Sequence, residues 1–179
     1  FGIADGIDMA SQIEEGREAK AIIAILQRPP GGLITLEEDG IATPADLAGK
    51  TVGVTGVPSD NAILDTIMAD AGSNSDEADV VTIGFNGVQS LEAGKVQAFT
   101  GFIPADGVQV EADGYKTKSF PLDENGGPSY PGLVAFSTET MIADDPDLMK
   151  GFVEASIKGY QDALADPEAA LTSLEDQTQ

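Results

Sequence analysis

Apolar residues along the chain fall into two kinds of run. Short blocks rich in Val, Ile and Phe occur at Ala21–Leu26, Leu33–Leu36, Lys50–Val54, Val80–Ile83, Val96–Phe99 and Gly132–Ser137, the third, fourth and fifth running straight into glycine-containing loops. Their length and composition predict strands, and Phe1–Ile3 reads as the tail of another. Elsewhere the apolar positions recur every three or four residues, which predicts helices. Such segments are Ile7–Glu15, with Met9 and Ile13 on one face, and the stretch opened by Ser59, with Ile63, Leu64, Ile67, Met68 and Ala71 as its stripe. Shorter helices are expected at Val88–Ala93 and from Val108 to Glu111. Asp145-Pro146 opens a long helix with Leu148, Phe152, Val153, Ile157, Tyr160 and Leu164 on one side, and Asp166-Pro167 opens a shorter one. Thr43-Pro44-Ala45-Asp46 has the form of a capping box with Pro at the first helical position.

Order turns these elements into an architecture. Between Lys50 and Phe102, three strands each empty into a loop of small residues: Thr55–Ser59, Gly84–Gly87 and Thr100–Pro104. A helical segment follows each loop. Alternation of this kind calls for a mostly parallel sheet with helices on its faces, so the fold class is α/β. Ligands of such sheets collect beyond the carboxyl ends of the strands. The three loops are therefore expected to line one crevice. The apolar crossings at Leu33–Leu36 and Gly132–Ser137 bracket this region, which suggests one lobe inserted into another. Residues 1–38 and 128–179 are assigned to lobe one and 39–127 to lobe two, joined by a hinge.

Composition narrows the chemistry. The 179 residues include 31 acidic and 9 basic side chains, a formal charge of -22. Nucleic acid is not an expected partner, because binding it draws on basic contacts to phosphate. The chain has no Cys and no His, which removes thiol and imidazole nucleophiles, bases and metal ligands. No metal or cofactor is expected. Phe1-Gly-Ile3 does not read as a natural start, and the chain is expected to be an internal portion of a longer protein.

Within the crevice, Thr55, Gly56 and Ser59 offer backbone N–H groups and hydroxyls at a helix N-terminus. Ser59 also reads simply as a helix cap. Phe85 presents a flat apolar face and Asn86 both a donor and an acceptor, or else they are a core residue and a turn residue. Thr100-Gly101 permits close approach to a ligand, and Phe102 either stacks on it or packs between lobes. Tyr130 at the hinge stacks, donates its hydroxyl or is structural. Asp5, after the first strand end, is a candidate from lobe one. Arg17 and Arg28 are the only arginines and lie outside these loops, while Lys50 and Lys95 precede their strands.

The stretch Ile41-Ala-Thr-Pro-Ala-Asp-Leu-Ala-Gly-Lys-Thr-Val-Gly-Val54, with Ile83-Gly-Phe-Asn86, Gly94-Lys-Val-Gln-Ala98, Thr100-Gly101, Pro128-Ser-Tyr-Pro131 and the Asp145–Tyr160 helix, resembles the ABC-transporter substrate-binding proteins of the thiamine-pyrimidine-precursor and taurine/nitrate/sulfonate group. The resemblance implies a two-lobed Venus-flytrap of the periplasmic-binding-protein type II fold, with lobe one incomplete at its N-terminus. It implies a monomeric, extracytoplasmic, non-enzymatic protein that delivers a small solute to a membrane permease. It also implies that Asp106, shortly after the Thr-Gly pair, faces an amino-substituted ring, although Ile103, Pro104 and Ala105 replace the aromatic residues usual there. An acid and aromatic rings without a cation favour a neutral or weakly basic flat heterocycle, so a pyrimidine is expected ahead of a sulfonate, with a sulfonate, nitrate or riboflavin as the alternatives. Sensor domains share such a cleft. Eukaryotic relatives that build the pyrimidine consume a histidine, which this chain lacks.

Overall fold

The structure, a computed structural model, describes residues 1–178, the side chain of Pro58 excepted. Its larger sheet has five strands in the order β5-β4-β6-β3-β7. These are β3 (Gly31–Leu36), β4 (Thr51–Val54), β5 (Asp79–Thr82), β6 (Ala98–Phe102) and β7 (Thr117–Pro121). β4 runs parallel to both β5 and β6, as the alternating pattern requires, and β3 is antiparallel to β6 and β7.

All six residues of β3 are buried because both of its faces are covered. Leu33 packs on one side with Leu47, Val52, Leu64, Ile67 and Met68, while Ile34 packs on the other with Val88, Leu91, Phe99 and Val110. The first cluster lies under α2 (Pro58–Asp70), and the second under α3 (Gly87–Glu92) and α4 (Val108–Ala112). A strand enclosed on both faces reads as a continuous apolar run, which explains why Leu33–Leu36 shows no alternation. Placed in lobe one by its position in sequence, β3 is in fact an interior strand of the five-stranded sheet.

The second sheet has three antiparallel strands in the order β1-β8-β2: β1 (Gly2–Asp5), β2 (Lys20–Ala24) and β8 (Leu133–Ser137). β2, expected from its apolar run to be buried, is an edge strand with no buried residue and a register irregularity between Ala21 and Ile23. Four helices accompany this sheet: α1 (Gly6–Glu14), α5 (Glu139–Asp144), α6 (Pro146–Ala165) and α7 (Pro167–Gln177). The Asp-Pro pairs act as the sequence predicts: the Asp145 and Asp166 carboxylates accept the N–H groups of Leu148 and Ala169 at 2.9 and 3.1 Å. The apolar side of α6 is only partly covered. Phe152 stacks on Phe1 with ring centroids 3.8 Å apart, whereas Leu148, Ile157, Tyr160 and Leu164 are exposed.

Two crossings join the sheets, one leaving β2 and one entering β8. They are tied to each other where the Gly132 N–H donates to the Leu26 carbonyl at 3.0 Å. The first is also tied to the larger sheet, because the Ile103 N–H donates to the Pro30 carbonyl at 2.9 Å. No helix among the described residues is long and apolar enough to cross a membrane.

Candidate functional site

The loops leaving β4, β5 and β6 meet at one cavity of about 670 Å³, whose opposite wall comes from α1 and the approach to β8. That volume is in the usual range for small-molecule sites, roughly 300–1,000 Å³. The parallel order of β5, β4 and β6 produces this convergence, since it puts the carboxyl ends of all three strands on the same edge.

After β4 the chain turns at Gly56 and enters α2 with Val57 at the N-cap and Pro58 in the first turn. Ser59 is therefore not the cap residue, because the fixed φ of Pro58 places the boundary ahead of it. It stands in the first turn of α2, part-buried and on the cavity wall. The turn is held by Asp60, whose carboxylate accepts the Thr55 N–H at 2.7 Å and also the Thr55 hydroxyl. Asp60 is buried and on the cavity wall.

After β6 the Asp106 carboxylate reaches back to accept the Phe102 N–H at 2.7 Å. Gly101 leaves room for this: a Cβ there would stand 2.7 Å from Asp106 Oδ2 and 2.6 Å from the Phe99 ring. The Phe99 ring in turn fills the space beside Gly87, where a Cβ would approach to 2.2 Å. The loop after β5 presents Phe85, which is 87% exposed at the cavity mouth.

The opposite wall carries Asp5, Asp8 and Tyr130. Asp5 caps α1 by accepting the Ile7 N–H at 2.9 Å, and the Tyr130 hydroxyl donates to the same oxygen at 3.3 Å. Burial pushes the Asp5 carboxyl above its ordinary range, against the pull of the Ile7 N–H. Burial, and then the Asp5 charge, push the Tyr130 phenol upward too, so it stays a protonated donor.

The structure thus brings Asp5, Thr55, Ser59, Phe85, Thr100, Gly101, Phe102, Asp106 and Tyr130 onto one wall system. Two expected residues lie off it. Gly56, at φ 98°, serves the turn, and the Asn86 amide turns away to donate to the Ile83 carbonyl at 3.1 Å. Asp8 and Asp60 were not anticipated. Both are acids in the first turn of a helix, where the dipole favours them, and that position was the available signal. The described wall residues include four carboxylates and neither Lys nor Arg.

A family model described as NMT1/THI5 like matches residues 1–170. Three curated relatives are each 28% identical to the chain. The formylaminopyrimidine-binding protein of Halalkalibacterium halodurans aligns with 86% of this chain and 47% of its own length. The riboflavin-binding protein RibY of Chloroflexus aurantiacus aligns with 96% and 48%. The 4-amino-5-hydroxymethyl-2-methylpyrimidine phosphate synthase of Legionella pneumophila aligns with 97% and 55%. The chain spans about half the length of the curated relatives it matches. Among solved structures, the periplasmic aliphatic sulphonate binding protein SsuA of Escherichia coli superposes with a TM-score of 0.71 at 15% identity, over 95% of this chain and 58% of that one. The fold is accordingly the two-lobed type II periplasmic-binding fold.

Proposed function

The chain belongs to the NMT1/THI5-like family, and on that premise we propose that it is the solute-binding part of an ABC importer, holding an amino-substituted pyrimidine of the thiamine-precursor type. The protein works outside the cytoplasm as a monomer and hands its solute to a membrane permease. The observation that carries the choice of solute is the wall chemistry: Asp5, Asp8, Asp60 and Asp106 with Phe85 and Phe102, and no cation among the described wall residues. Carboxylates accept hydrogen bonds from ring amino groups, and aromatic faces cover a flat ring. Of charged groups, a sulfonate would meet only like charge there. The relative named for formylaminopyrimidine supports the same choice.

Closure of the two lobes is the expected mechanism. Asp5 and Tyr130 stand on one side of the cavity and Asp106 and Thr55 on the other, so a solute touching both sides favours the closed form. The synthase reading is weaker, because the chain contains no histidine to be consumed in building the ring. A flavin is the second reading: RibY aligns over nearly the whole chain, and the cavity has room for more than one ring.

The test is the thermal midpoint of the purified protein against aminopyrimidines, flavins, sulfonates and polyamines. A solute that binds the folded state raises the midpoint once its free concentration exceeds Kd. Aminopyrimidines are expected to register. A response to sulfonates alone overturns the proposal, and a response to flavins alone replaces it with the second reading.

A further inference from the structure

Thr100 lies on β6 opposite Leu33 of β3, on the cavity wall. It is 2% exposed, and its hydroxyl oxygen has no hydrogen-bond partner. Other threonines nearby are satisfied. Thr35 donates to the Lys118 carbonyl at 3.0 Å, and Thr55 donates to the Asp60 carboxylate. A buried hydroxyl left unpaired destabilises a fold, and valine would fill the same space without that penalty. The folded chain has no use of its own for this polar atom.

Among the described wall residues, Thr100 carries the one hydroxyl that is both buried and unpaired. Of the other hydroxyls there, those of Thr55 and Tyr130 are already donated to Asp60 and Asp5, and Ser59 is only part-buried. The acids Asp60 and Asp106 supply acceptors only. A flat heterocycle with an amino group beside a ring nitrogen needs both kinds of partner, an acceptor for the amino N–H and a donor for the ring nitrogen.

Alternation along β6 fixes where Thr100 stands. Ala98 packs with Leu64 and Ile67 of α2, whereas Phe99 packs with Val88 and Leu91 of α3. Thr100 shares the Ala98 face, and so it stands on the same side of the sheet as α2 and its buried Asp60.

We propose that the Thr100 hydroxyl is a solute-recognition group, left unpaired by the fold and completed by a ring nitrogen or carbonyl of the bound heterocycle. This deepens the solute-binding reading and rests on it. Thr100 fixes the orientation of the ring by donating to it, and a solute without an acceptor at that edge binds less tightly.

Thr100→Val and Thr100→Ser test the assignment through two readouts: the thermal midpoint without solute, and the affinity for 4-amino-5-hydroxymethyl-2-methylpyrimidine by calorimetry. The valine variant is expected to keep or raise the midpoint while Kd rises by about tenfold, and the serine variant to bind like the parent. A valine variant that binds as tightly as the parent overturns the assignment. So does a valine variant with a lowered midpoint, which would make the hydroxyl structural. Failure of the parent to bind any aminopyrimidine overturns the solute reading instead. In that case the parent and valine affinities for whichever panel solute does bind decide the role of Thr100.

Discussion

The Asp106 carboxylate accepts the backbone N–H of Phe102 at 2.7 Å, so a candidate solute contact also closes the turn that presents it. Two duties on one side chain separate under substitution. Asp106→Asn keeps an oxygen for Phe102 and removes the charge. It should leave the thermal midpoint near the parent's and weaken binding of an amino-substituted ring by about tenfold, measured by calorimetry. Asp106→Ala removes the turn contact as well and should lower both the midpoint and the affinity. Unchanged affinity in the asparagine variant would remove Asp106 from the site.

Asp5 makes stability depend on pH in a defined direction. Its folded-state pKa is raised above the ordinary 3.8 by burial, so the folded protein holds this proton more tightly than the unfolded chain does. The contribution of Asp5 to stability therefore falls as pH rises from 3.8 through the raised value, and the penalty persists at neutral pH. Asp5→Asn still accepts the Ile7 N–H and carries no charge to desolvate. Compared with the parent, it should show a higher midpoint at neutral pH and a difference that shrinks toward acid. Thermal scans across the acid range check this, and a gap that widens on acidification would contradict it.

Gly87 faces the Phe99 ring so closely that a Cβ would lie 2.2 Å from it, and Phe99 is buried with neighbours on every side. Gly87→Ala forces the ring off its place at the cavity wall. Overpacking of this kind destabilises by about 1–3 kcal/mol, readable in urea unfolding. Phe99→Leu in the same background should recover part of the loss, because the smaller side chain gives back the space. No recovery would mean that the clash is with something other than the ring.

The α/β order, the parallel trio of strands and the crevice at their carboxyl ends were legible because each rests on a local signal: a short β-rich run, a small-residue loop and a helical period. The placement of β3 was not. A strand's partners are set by long-range pairing, and a fully enclosed strand has the same apolar run wherever it lies in the chain. β2 misled for the converse reason, since Ala21–Leu26 is as apolar as a core strand but ends on a sheet edge. In the site, most of the candidates that stand in loops lie together on the cavity wall. Asp60 reaches that wall through Thr55 folding back on it, and Asn86 lies off it because its amide turns to Ile83; nothing local in the sequence signals either contact.

Arg28 belongs to the first crossing, and Asp123 and Glu124 stand just after β7, so their contact ties the crossing to the larger sheet. The Arg28 guanidinium donates to both Asp123 oxygens at 2.7 and 2.9 Å and to Glu124 at 2.6 Å. A two-toothed pair of this kind fixes geometry as well as charge. Arg28 also holds the Asp123 carboxyl below its ordinary 3.8. Stability from that interaction is present above 3.8 and is lost as pH falls through the depressed value. Arg28→Met keeps the apolar stem and removes the cation. In the variant, the Asp123 titration followed by carboxyl NMR should move up, because only its own backbone N–H then acts against burial. The midpoint gap between parent and variant should be largest at neutral pH and close on acidification. A gap that is the same at every pH would mean that Arg28 acts by packing alone. If the crossing is the hinge of closure, the same variant should also change solute affinity although Arg28 is not on the cavity wall.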